Sequence, residues 1–364
     1  MSRKPFALVT VLVTLTLVLT GLVSCSPAQA TPTNAPPQAK ATEVPTKASE
    51  AQAPTGKAYT IGLSSFQQGN DWNIQVAEGA KARMEELGWK VIHTNAEANT
   101  DNQIAALEGF LSQGVDGVII GGGVGPSLLP IIEKLTAAGI KVVCIDITAP
   151  DAVTNIYPDN YMTTELLAVF AVNKLQAVPG KYAHLTIPGL GWKTVTIRDD
   201  VADLVFKIEE WENVGIVDSG LADAVSKSMT GIRSTLLAHP DLNLVYSSWG
   251  MPAVGAARAI REAGKQDQVF VVCTDADRVV LAEMAEDDSP IAAVIGQEPS
   301  VMGEMAVDYL SRAFAGEENI PKIAFAPFVF VTKEPELVPP GVDVVSPQKA
   351  WELLYPGVPF GKTE

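Results

Sequence analysis

Short apolar runs alternate with segments of helical periodicity along the chain after Tyr59. Two of these runs, Lys141–Ile145 and Val271–Thr274, are each followed at once by an aspartate, Asp146 or Asp275. Continuous apolar runs of this length are typical of buried parallel strands, and such strands end at a crevice on one edge of their sheet. The pattern therefore predicts that both carboxylates face a ligand.

The segments that precede the two aspartates also repeat. In each half of the chain, an apolar strand, a helix that ends at a glycine (Gly139 or Gly264) and the aspartate-ended strand follow one another. The repeat predicts an α/β fold with two similar doubly wound parallel-sheet lobes that share one cleft. Chain crossings near residues 160, 297 and 331 are expected to form a three-stranded hinge.

The domain boundaries follow from this repeat and from the composition of the two ends. They are a lipoprotein signal peptide at 1–24, a lipid-anchored disordered linker at 25–57, an N-terminal lobe at 58–160 plus 298–330, a C-terminal lobe at 161–297, and a hinge-crossing tail at 331–364. The strand-like residues 328–331 are placed with the N-terminal lobe because the second lobe already has its full set of strands.

The N-terminus has the pattern of a secretory signal. Arg3 and Lys4 precede an apolar stretch at 6–23, and Leu22-Val23-Ser24-Cys25 resembles the lipobox of bacterial lipoproteins. The stretch could also span a bilayer, so an uncleaved anchor is the alternative. Residues 26–57 are rich in Pro, Ala and Thr and contain no aromatic residue, which predicts a disordered tether. We expect lipid attachment at Cys25 and an extracytoplasmic protein, in the periplasm or on the outer face of the cytoplasmic membrane, that contacts the membrane only through this lipid.

Composition limits the remaining classes of function. The 364 residues are 47% hydrophobic and carry a formal charge of −16, which favours two globular domains and argues against a nucleic-acid partner. Three cysteines do not support a disulfide framework, and we interpret Cys144 and Cys273 as small buried side chains. None of the three histidines has a partner at metal spacing or beside a plausible nucleophile. The sequence therefore predicts no metal, no cofactor and no enzyme activity.

From Tyr59 to about Val331, the chain resembles the periplasmic sugar-binding proteins of the ribose-binding type, which are type I substrate-binding proteins of ABC importers. The resemblance depends on the order and spacing of short segments, which are Ile61-Gly62-Leu63-Ser64, Glu78-Gly79-Ala80, Gly114-Val115-Asp116-Gly117-Val118-Ile119-Ile120, Gly139-Ile140, Pro158-Asp159-Asn160 and Ala238-His239-Pro240-Asp241. It implies a monomer that captures a small polar solute, a sugar or polyol, by hinge closure. It also implies delivery of that solute to ABC permease subunits without a cofactor.

The resemblance also assigns candidate ligand-binding residues. The matching positions are Asn70, Trp72, Asn73, Asp146, Arg198, Trp249, Asp275 and Gln297. Asn73 stands where the family has a second stacking aromatic, Trp249 where it has an asparagine, and Ile147 where it has an arginine. The polar residues of the family pattern are thus kept, while sugar contacts are lost. Trp192 is a further candidate, because its glycine-rich loop is expected at the cleft.

These residue types fit the chemistry of a polyhydroxylated ligand. Carboxylates accept hydrogen bonds from pairs of hydroxyl groups, a guanidinium donates in a fixed geometry, and sugar C–H faces pack on indole rings. The same residues allow other interpretations: strand-end aspartates that cap the next helix, tryptophans that only pack, or a site for a nucleoside or cationic ligand. A sensor module for a membrane receptor and a secreted hydrolase with two facing carboxylates are the alternative functions.

Overall fold

The computed structural model describes residues 57–176 and 178–363. The predicted signal peptide at 1–24, the predicted lipidation site Cys25 and all but the last residue of the predicted linker lie outside the described residues. Within the described ranges, no helix is both long and apolar enough to cross a membrane.

Strands and helices alternate along the described chain, as the hydrophobic pattern predicts. The strands are β1 (Thr60–Ser65), β2 (Lys90–Asn95), β3 (Gly117–Gly121), β4 (Lys141–Ile145), β5 (Thr154–Pro158), β6 (Lys181–Thr186), β7 (Glu212–Asp218), β8 (Leu244–Ser247), β9 (Phe270–Thr274), β10 (Ile291–Gln297), β11 (Ile323–Ala326), β12 (Phe328–Thr332) and β13 (Val344–Val345). The helices are α1 (Asp71–Glu86), α2 (Thr100–Gln113), α3 (Gly125–Ala137), α4 (Asn160–Lys174), α5 (Lys193–Ile208), α6 (Ala224–Ala238), α7 (Gly250–Glu262), α8 (Arg278–Ala285), α9 (Pro299–Phe314) and α10 (Pro347–Leu354).

Two sheets form the centres of two lobes. The first sheet has the strand order β2-β1-β3-β4-β5-β11, and all its neighbouring strands are parallel. The second sheet has the order β7-β6-β8-β9-β10-β12-β13, and within it the pair β10 and β12 is antiparallel. The first five strands of each lobe therefore follow the same doubly wound order. This confirms the predicted fold class.

Each sheet is covered on both faces, so its central strands are apolar at consecutive positions. The adjacent residues Ile119 and Ile120 on β3 are both fully buried, but they belong to cores on opposite faces of the first sheet. Val271 and Val272 on β9 divide in the same way between the two cores of the second lobe. Burial on both faces explains why the sequence shows continuous apolar runs instead of strict alternation.

The two cysteines of the described residues lie inside these cores. Cys144 on β4 and Cys273 on β9 have no exposed surface and form no disulfide. Burial raises the pKa of the Cys144 thiol to about 12. Their interpretation as small buried side chains is confirmed.

Helix α9 returns the chain to the first lobe, where it packs on α1. A Cβ atom on Gly79 would lie 2.1 Å from the carbonyl O of Ser300, and one on Gly303 would lie 2.2 Å from the carbonyl O of Val76. Only glycine permits this approach of the two backbones. Through it, α9 places a row of apolar side chains in the core of the first lobe: Met302, Ala306, Val307 and Leu310.

The chain passes between the two sheets after β5, after β10 and between β11 and β12. The first two crossings lie near residues 160 and 297, where the sequence places them. The third lies at Pro327 and not near 331, because β12 pairs antiparallel with β10, with Phe330 opposite Ile295. The placement of 328–330 in the first lobe is therefore wrong. The first sheet takes β11 instead. This edge strand alternates buried and exposed residues and therefore lacks the continuous buried run that marks the central strands.

The C-terminal tail packs mainly on the second lobe. Strand β13 pairs with β12, and Trp351 and Leu354 of α10 join the core of that lobe. The hydroxyl of Tyr355 donates to the carbonyl O of Ala276 at 3.0 Å, and its ring lies beside Gln75 of the first lobe. The predicted tail across the hinge thus touches both lobes at Tyr355, while the rest of it completes the second lobe.

Candidate ligand-binding cleft

A cleft of about 920 Å³ lies between the carboxyl ends of the two sheets. Its walls come from the segments that follow β1, β3 and β4 in the first lobe and β6 to β10 in the second. All nine candidate positions line it, namely Asn70, Trp72, Asn73, Asp146, Trp192, Arg198, Trp249, Asp275 and Gln297. The structure therefore brings the candidate residues together, and their contact with a ligand stays a prediction.

Asp146 and Asp275 occupy equivalent positions in the two lobes. Each follows the fourth strand of its sheet and has a left-handed backbone, with φ of 60° and 75°. The amide N–H of each donates to the fifth strand, at 2.9 Å to Ile156 O and at 3.0 Å to Ile295 O. A left-handed conformation costs a non-glycine residue roughly 1 kcal/mol, and here the same strained turn occurs at both strand ends.

Asp275 belongs to a hydrogen-bonded group that we call the polar frame: Trp72, Arg198, Asp275 and Gln297. Nη1 of Arg198 lies 3.5 Å from Oδ2 of Asp275, and Nε2 of Gln297 donates to Oδ1 of Asp275. Nε1 of Trp72 donates to Oε1 of Gln297 at 2.9 Å. Burial raises the pKa of Asp275, and the nearby Arg198 opposes that rise. The polar frame thus joins an aromatic residue of the first lobe to charged residues of the second.

Arg198 is oriented by the protein itself. It is 4% exposed, and its Nε donates to Oδ1 of Asn160 at 2.8 Å while its Nη1 donates to the carbonyl O of Ser248 at 2.9 Å. Among the described residues, none accepts a hydrogen bond from its Nη2. A guanidinium held in this way offers a hydrogen-bond donor of fixed direction to the cleft.

Asp146 depends on the opposite lobe for its partner. Its Oδ1 accepts a hydrogen bond from Oγ1 of Thr194, which lies on α5 of the second lobe. Burial raises the pKa of Asp146 to about 6, although Thr194 and Arg198 favour the charged form. Its Oδ2 accepts no hydrogen bond from the described part of the chain. This oxygen can therefore accept a hydrogen bond from a ligand hydroxyl.

Three tryptophans line the cleft in different surroundings. Trp72 is part of the polar frame, and Nε1 of Trp249 donates to Oγ of Ser219 at 3.2 Å. The ring of Trp192 packs edge to face on Phe66, with centroids 5.9 Å apart, while its buried Nε1 has no partner in the described residues. A buried indole N–H without a partner costs free energy, so an acceptor for the Nε1–H of Trp192 would be favourable.

Helix capping explains part of the candidate set. Oδ1 of Asn70 accepts from the backbone N–H of Asn73 at 3.0 Å and from its Nδ2 at 2.7 Å, so Asn70 caps α1. Neither strand-end aspartate caps the helix that follows it in the chain, although Asp275 accepts a hydrogen bond from the backbone of Gly250 at the start of α7. The N-cap positions of the next helices are instead Asp159 for α4 and Asp277 for α8.

Contacts across the cleft join the two lobes. Arg278 on α8 forms an ion pair with Asp71 on α1, with Nη2 to Oδ1 at 2.8 Å and Nε to Oδ2 at 3.0 Å. Nζ of Lys193 lies 3.5 Å from Oγ1 of Thr148. Together with the bond between Thr194 and Asp146, these contacts show that the lobes already touch around the cleft.

Asp277 is a cleft residue that the sequence analysis missed. It is 8% exposed, and burial together with the neighbouring Asp275 and Asp71 raises its pKa to about 8. Although it stands at the N-cap position of α8, its side chain makes no capping hydrogen bond. The signal for it in the sequence is a second aspartate on the loop that begins at Asp275.

A buried histidine lies directly behind Arg198. His184 is 1% exposed; its Nε2 lies 3.1 Å from both Asp199 Oδ1 and Ser248 Oγ, and its Nδ1 lies 3.2 Å from Asp203 Oδ1. Burial opposes its charged form, but the two carboxylates outweigh burial and raise the pKa of His184 to about 9. Its serine neighbour Ser248 has no exposed surface and its hydroxyl donates to Asp199, so this contact does not place the histidine beside a plausible nucleophile.

Comparison with known proteins agrees with this architecture. The family model described as the periplasmic binding protein domain matches residues 61–318. The ribose import binding protein of Bacillus subtilis (strain 168) is 26% identical over 336 residues, which cover 90% of this chain and 99% of that protein. The galactofuranose-binding protein of Escherichia coli (strain K12) is 25% identical over 262 residues, which cover 70% of this chain and 81% of that protein. The solved structure of an ABC sugar transporter subunit from Rhodobacter sphaeroides 2.4.1 matches with a TM-score of 0.70 at 26% identity and covers 76% of this chain and 98% of that one.

Because the family model covers well over half of the chain, the chain belongs to the periplasmic binding protein family. It is a solute-binding protein that acts outside the cytoplasm. The family resemblance found from the sequence is confirmed. The relatives are binding proteins of transporters and not enzymes.

Proposed function

We propose that this protein captures a sugar or polyol between its two lobes and delivers it, as a monomer, to the permease subunits of an ABC importer. The single observation that carries the proposal is the polar frame. It combines a buried, oriented arginine, a carboxylate and an amide with an indole ring in one cleft. Ribose and galactofuranose, named for two of the relatives, have the vicinal hydroxyl groups that such a set of residues binds.

Each group has a distinct task in this proposal. The carboxylates of Asp275 and Asp146 accept hydrogen bonds from ligand hydroxyls, and Nη2 of Arg198 donates to a ligand oxygen. Trp72 and Trp192 pack on the C–H faces of the ring, and the unpartnered Nε1 of Trp192 gains an acceptor. Because these residues come from both lobes, full binding requires the lobes to be closed.

The ligand that we propose is not tied to ribose. Three positions depart from the ribose-type pattern: Asn73 and Ile147 in the first lobe and Trp249 in the second. Asn73 is 8% exposed and its amide is bonded to Asn70, so it acts as a support for α1 and not as a stacking face. Ile147 is 2% exposed, and its side chain has no group that can form a hydrogen bond.

The alternative function, a hydrolase, would depend on the residues behind the cleft. His184 lies 3.1 Å from Oγ of Ser248, but Ser248 has no exposed surface and its hydroxyl already donates to Asp199. With a pKa of about 9, His184 is protonated at neutral pH and cannot act as a general base. This group supports the fold around Arg198, and we propose no catalysis for it.

We also propose that residues 1–24 are a cleaved signal peptide, that Cys25 carries a lipid, and that 25–57 tether the body to the membrane. The support is the charged and apolar order of the N-terminus and the lipobox-like Leu22-Val23-Ser24-Cys25. The wild-type protein should partition into the detergent phase, and Cys25→Ser should leave the signal uncleaved or release the protein. A wild-type protein in the aqueous phase with residue 1 intact would contradict this.

The binding function is tested by titration calorimetry against a panel of sugars, polyols, nucleosides and quaternary amines. At least one sugar or polyol should bind, Asp275→Asn should weaken it, and the ligand should be recovered chemically unchanged. Exclusive binding of a quaternary amine would show that the ligand is a cation and not a sugar or polyol. A converted product would overturn the transport function in favour of an enzyme.

A further inference from the structure

The second lobe contributes an apolar region to the cleft that the polar frame does not use. We call it the apolar wing and define it as Ile187, Leu221, Val225, Met229, Trp249 and Met251. Ile187 follows β6, Leu221 and Val225 lie between β7 and the first turn of α6, and Met251 lies in the first turn of α7. The wing therefore covers the carboxyl ends of β6, β7 and β8, whereas Asp275 and Gln297 of the polar frame lie at the ends of β9 and β10.

Trp249 connects the wing to the polar frame. The carbonyl O of its neighbour Ser248 accepts from Arg198 at 2.9 Å, while the indole Nε1 of Trp249 reaches Oγ of Ser219, just after β7, at 3.2 Å. The indole thus extends from the arginine of the polar frame to the loop that begins the wing. Both this ring and the polar frame line the same cleft.

The cleft has a large volume even though the two lobes are in contact. The ion pair between Asp71 and Arg278 and the hydrogen bond between Thr194 and Asp146 are both formed. With these contacts in place, a volume of about 920 Å³ remains. That volume is at the upper end of the roughly 300–1,000 Å³ that ligand pockets enclose.

We propose, on the basis of the binding function proposed above, that the ligand is a sugar or polyol with an uncharged apolar substituent, and that the substituent occupies the apolar wing. Val225, Met229 and Met251 are partly exposed within the cleft and have no group that could bind a hydroxyl. The one polar atom of Trp249 already donates to Ser219. Asp223, Ser226 and Arg258 also line this part of the cleft, but against the six side chains of the wing a polar ring would lose its hydration without replacement, whereas apolar carbon gains from burial.

Matched pairs of ligands that share a sugar test this inference. Titration calorimetry would compare D-ribose with 5-methylthio-D-ribose, D-glucose with phenyl β-D-glucopyranoside, and D-galactose with phenyl β-D-galactopyranoside. In the pair whose sugar fits the polar frame, the substituted member should bind at least ~10-fold more tightly, an advantage that corresponds to about 1.4 kcal/mol. Asp275→Asn should weaken both members of that pair.

Variants of α6 locate the substituent. Met229→Gln places an amide in the wing and should reduce the advantage of the substituted ligand to less than ~3-fold, with little change for the free sugar. Leu237→Gln is the matched control, because Leu237 is on the same helix but 86% exposed, and it should change neither. Circular dichroism and thermal unfolding would show that both variants are folded.

The outcomes separate this inference from the function on which it rests. If the free sugar binds as tightly as its substituted partner, the inference is wrong and the sugar-binding function stands. If the advantage persists undiminished in a folded Met229→Gln variant, the substituent lies elsewhere and the inference is also wrong. If no member of any pair binds, or if Asp275→Asn leaves a bound member unaffected, the proposed function fails first and the inference with it.

Discussion

The two strand-end aspartates have the same backbone and different surroundings. Asp275 is bonded to Arg198 on α5 and to Gln297 at the end of β10, both in the second lobe, whereas the one side-chain partner of Asp146 within the described residues, Thr194, comes from across the cleft. The second lobe therefore holds a preformed half-site. The first lobe completes its part only when the lobes touch. We expect ligand to contact the second lobe first and the first lobe on closure.

The largest test of this asymmetry is Arg198→Ala. Removal of the buried guanidinium leaves Asp275 without its counter-charge and Asn160 without its donor, so the Kd should rise by ~100-fold, about 3 kcal/mol. Titration calorimetry measures the change. Arg233→Ala, which removes a half-exposed pair with Glu262, is the control and should leave the Kd unchanged. An unchanged Kd in Arg198→Ala would remove the preformed half-site.

The stability of that half-site should depend on the charge of His184. Because its pKa in the folded protein, about 9, is above the ordinary value of 6.5, its contribution to the free energy of unfolding is full below pH 6.5 and is lost as the pH rises to 9. The loss should be at most about 3 kcal/mol. Urea unfolding from pH 6 to pH 9.5 would measure this loss. The free energy of unfolding of His184→Gln should change less over the same pH range. If the free energy of unfolding changes with pH equally in both proteins, groups other than His184 cause the change.

Asp146 should give the first lobe a different response to pH. Since burial raises its pKa to about 6, the carboxylate becomes protonated as the pH falls below 6 and accepts ligand hydroxyls less well. Ligand affinity should fall ~10-fold from pH 7 to pH 5 in the wild type, in proportion to the ionised fraction. In Asp146→Asn the affinity should be lower at pH 7 and should fall less between pH 7 and pH 5, with any remaining fall due to Asp275, whose pKa burial also raises. A wild-type affinity that is constant to pH 5 would show that Asp146 does not accept from the ligand.

The smallest expected effect is that of the ion pair between the lobes. Asp71→Asn removes the charge that Arg278 binds, so closure becomes less favourable and the Kd should rise by ~3-fold. Small-angle scattering of the ligand-free variant should show a larger radius of gyration than the wild type. Glu262→Gln, which breaks a pair within the second lobe, should change neither quantity. The same radius in Asp71→Asn and the wild type would mean that the pair does not hold the lobes together.

Much of the architecture could be predicted from the sequence, because strands buried on both faces leave long apolar runs. Position after such a run was enough to place Asp146 and Asp275 at the cleft. Edge strands leave a weaker signal, and β11, with two exposed large side chains in four residues, was missed for that reason. Its omission also shifted the third crossing and misplaced β12.

The candidate site was predictable by residue type but not by contact. The sequence placed Arg198 at the cleft, but its bonds to Asn160 and Ser248 depend on how α4, α5 and β8 meet. The cluster around His184 could not be predicted for the same reason, because Asp199, Asp203 and Ser248 come together only in the folded chain. The apolar wing is likewise formed from three loops, the first two turns of α6 and the first turn of α7.

The close glycine contact between α1 and α9 has a consequence for how the protein is made. Gly79 and Gly303 lie in opposite halves of the chain, so the core around Val76 and Ala80 stays open until α9 has been synthesised. Strands β6 to β10 of the second lobe are contiguous in sequence and lie before α9. The five parallel strands β6 to β10 should therefore pair during biosynthesis before the first lobe closes on α9, while β12, β13 and α10 join the second lobe only at the end of synthesis. Pulse-labelled hydrogen exchange during refolding should show protection of β8 and β9 before that of β1 and β3.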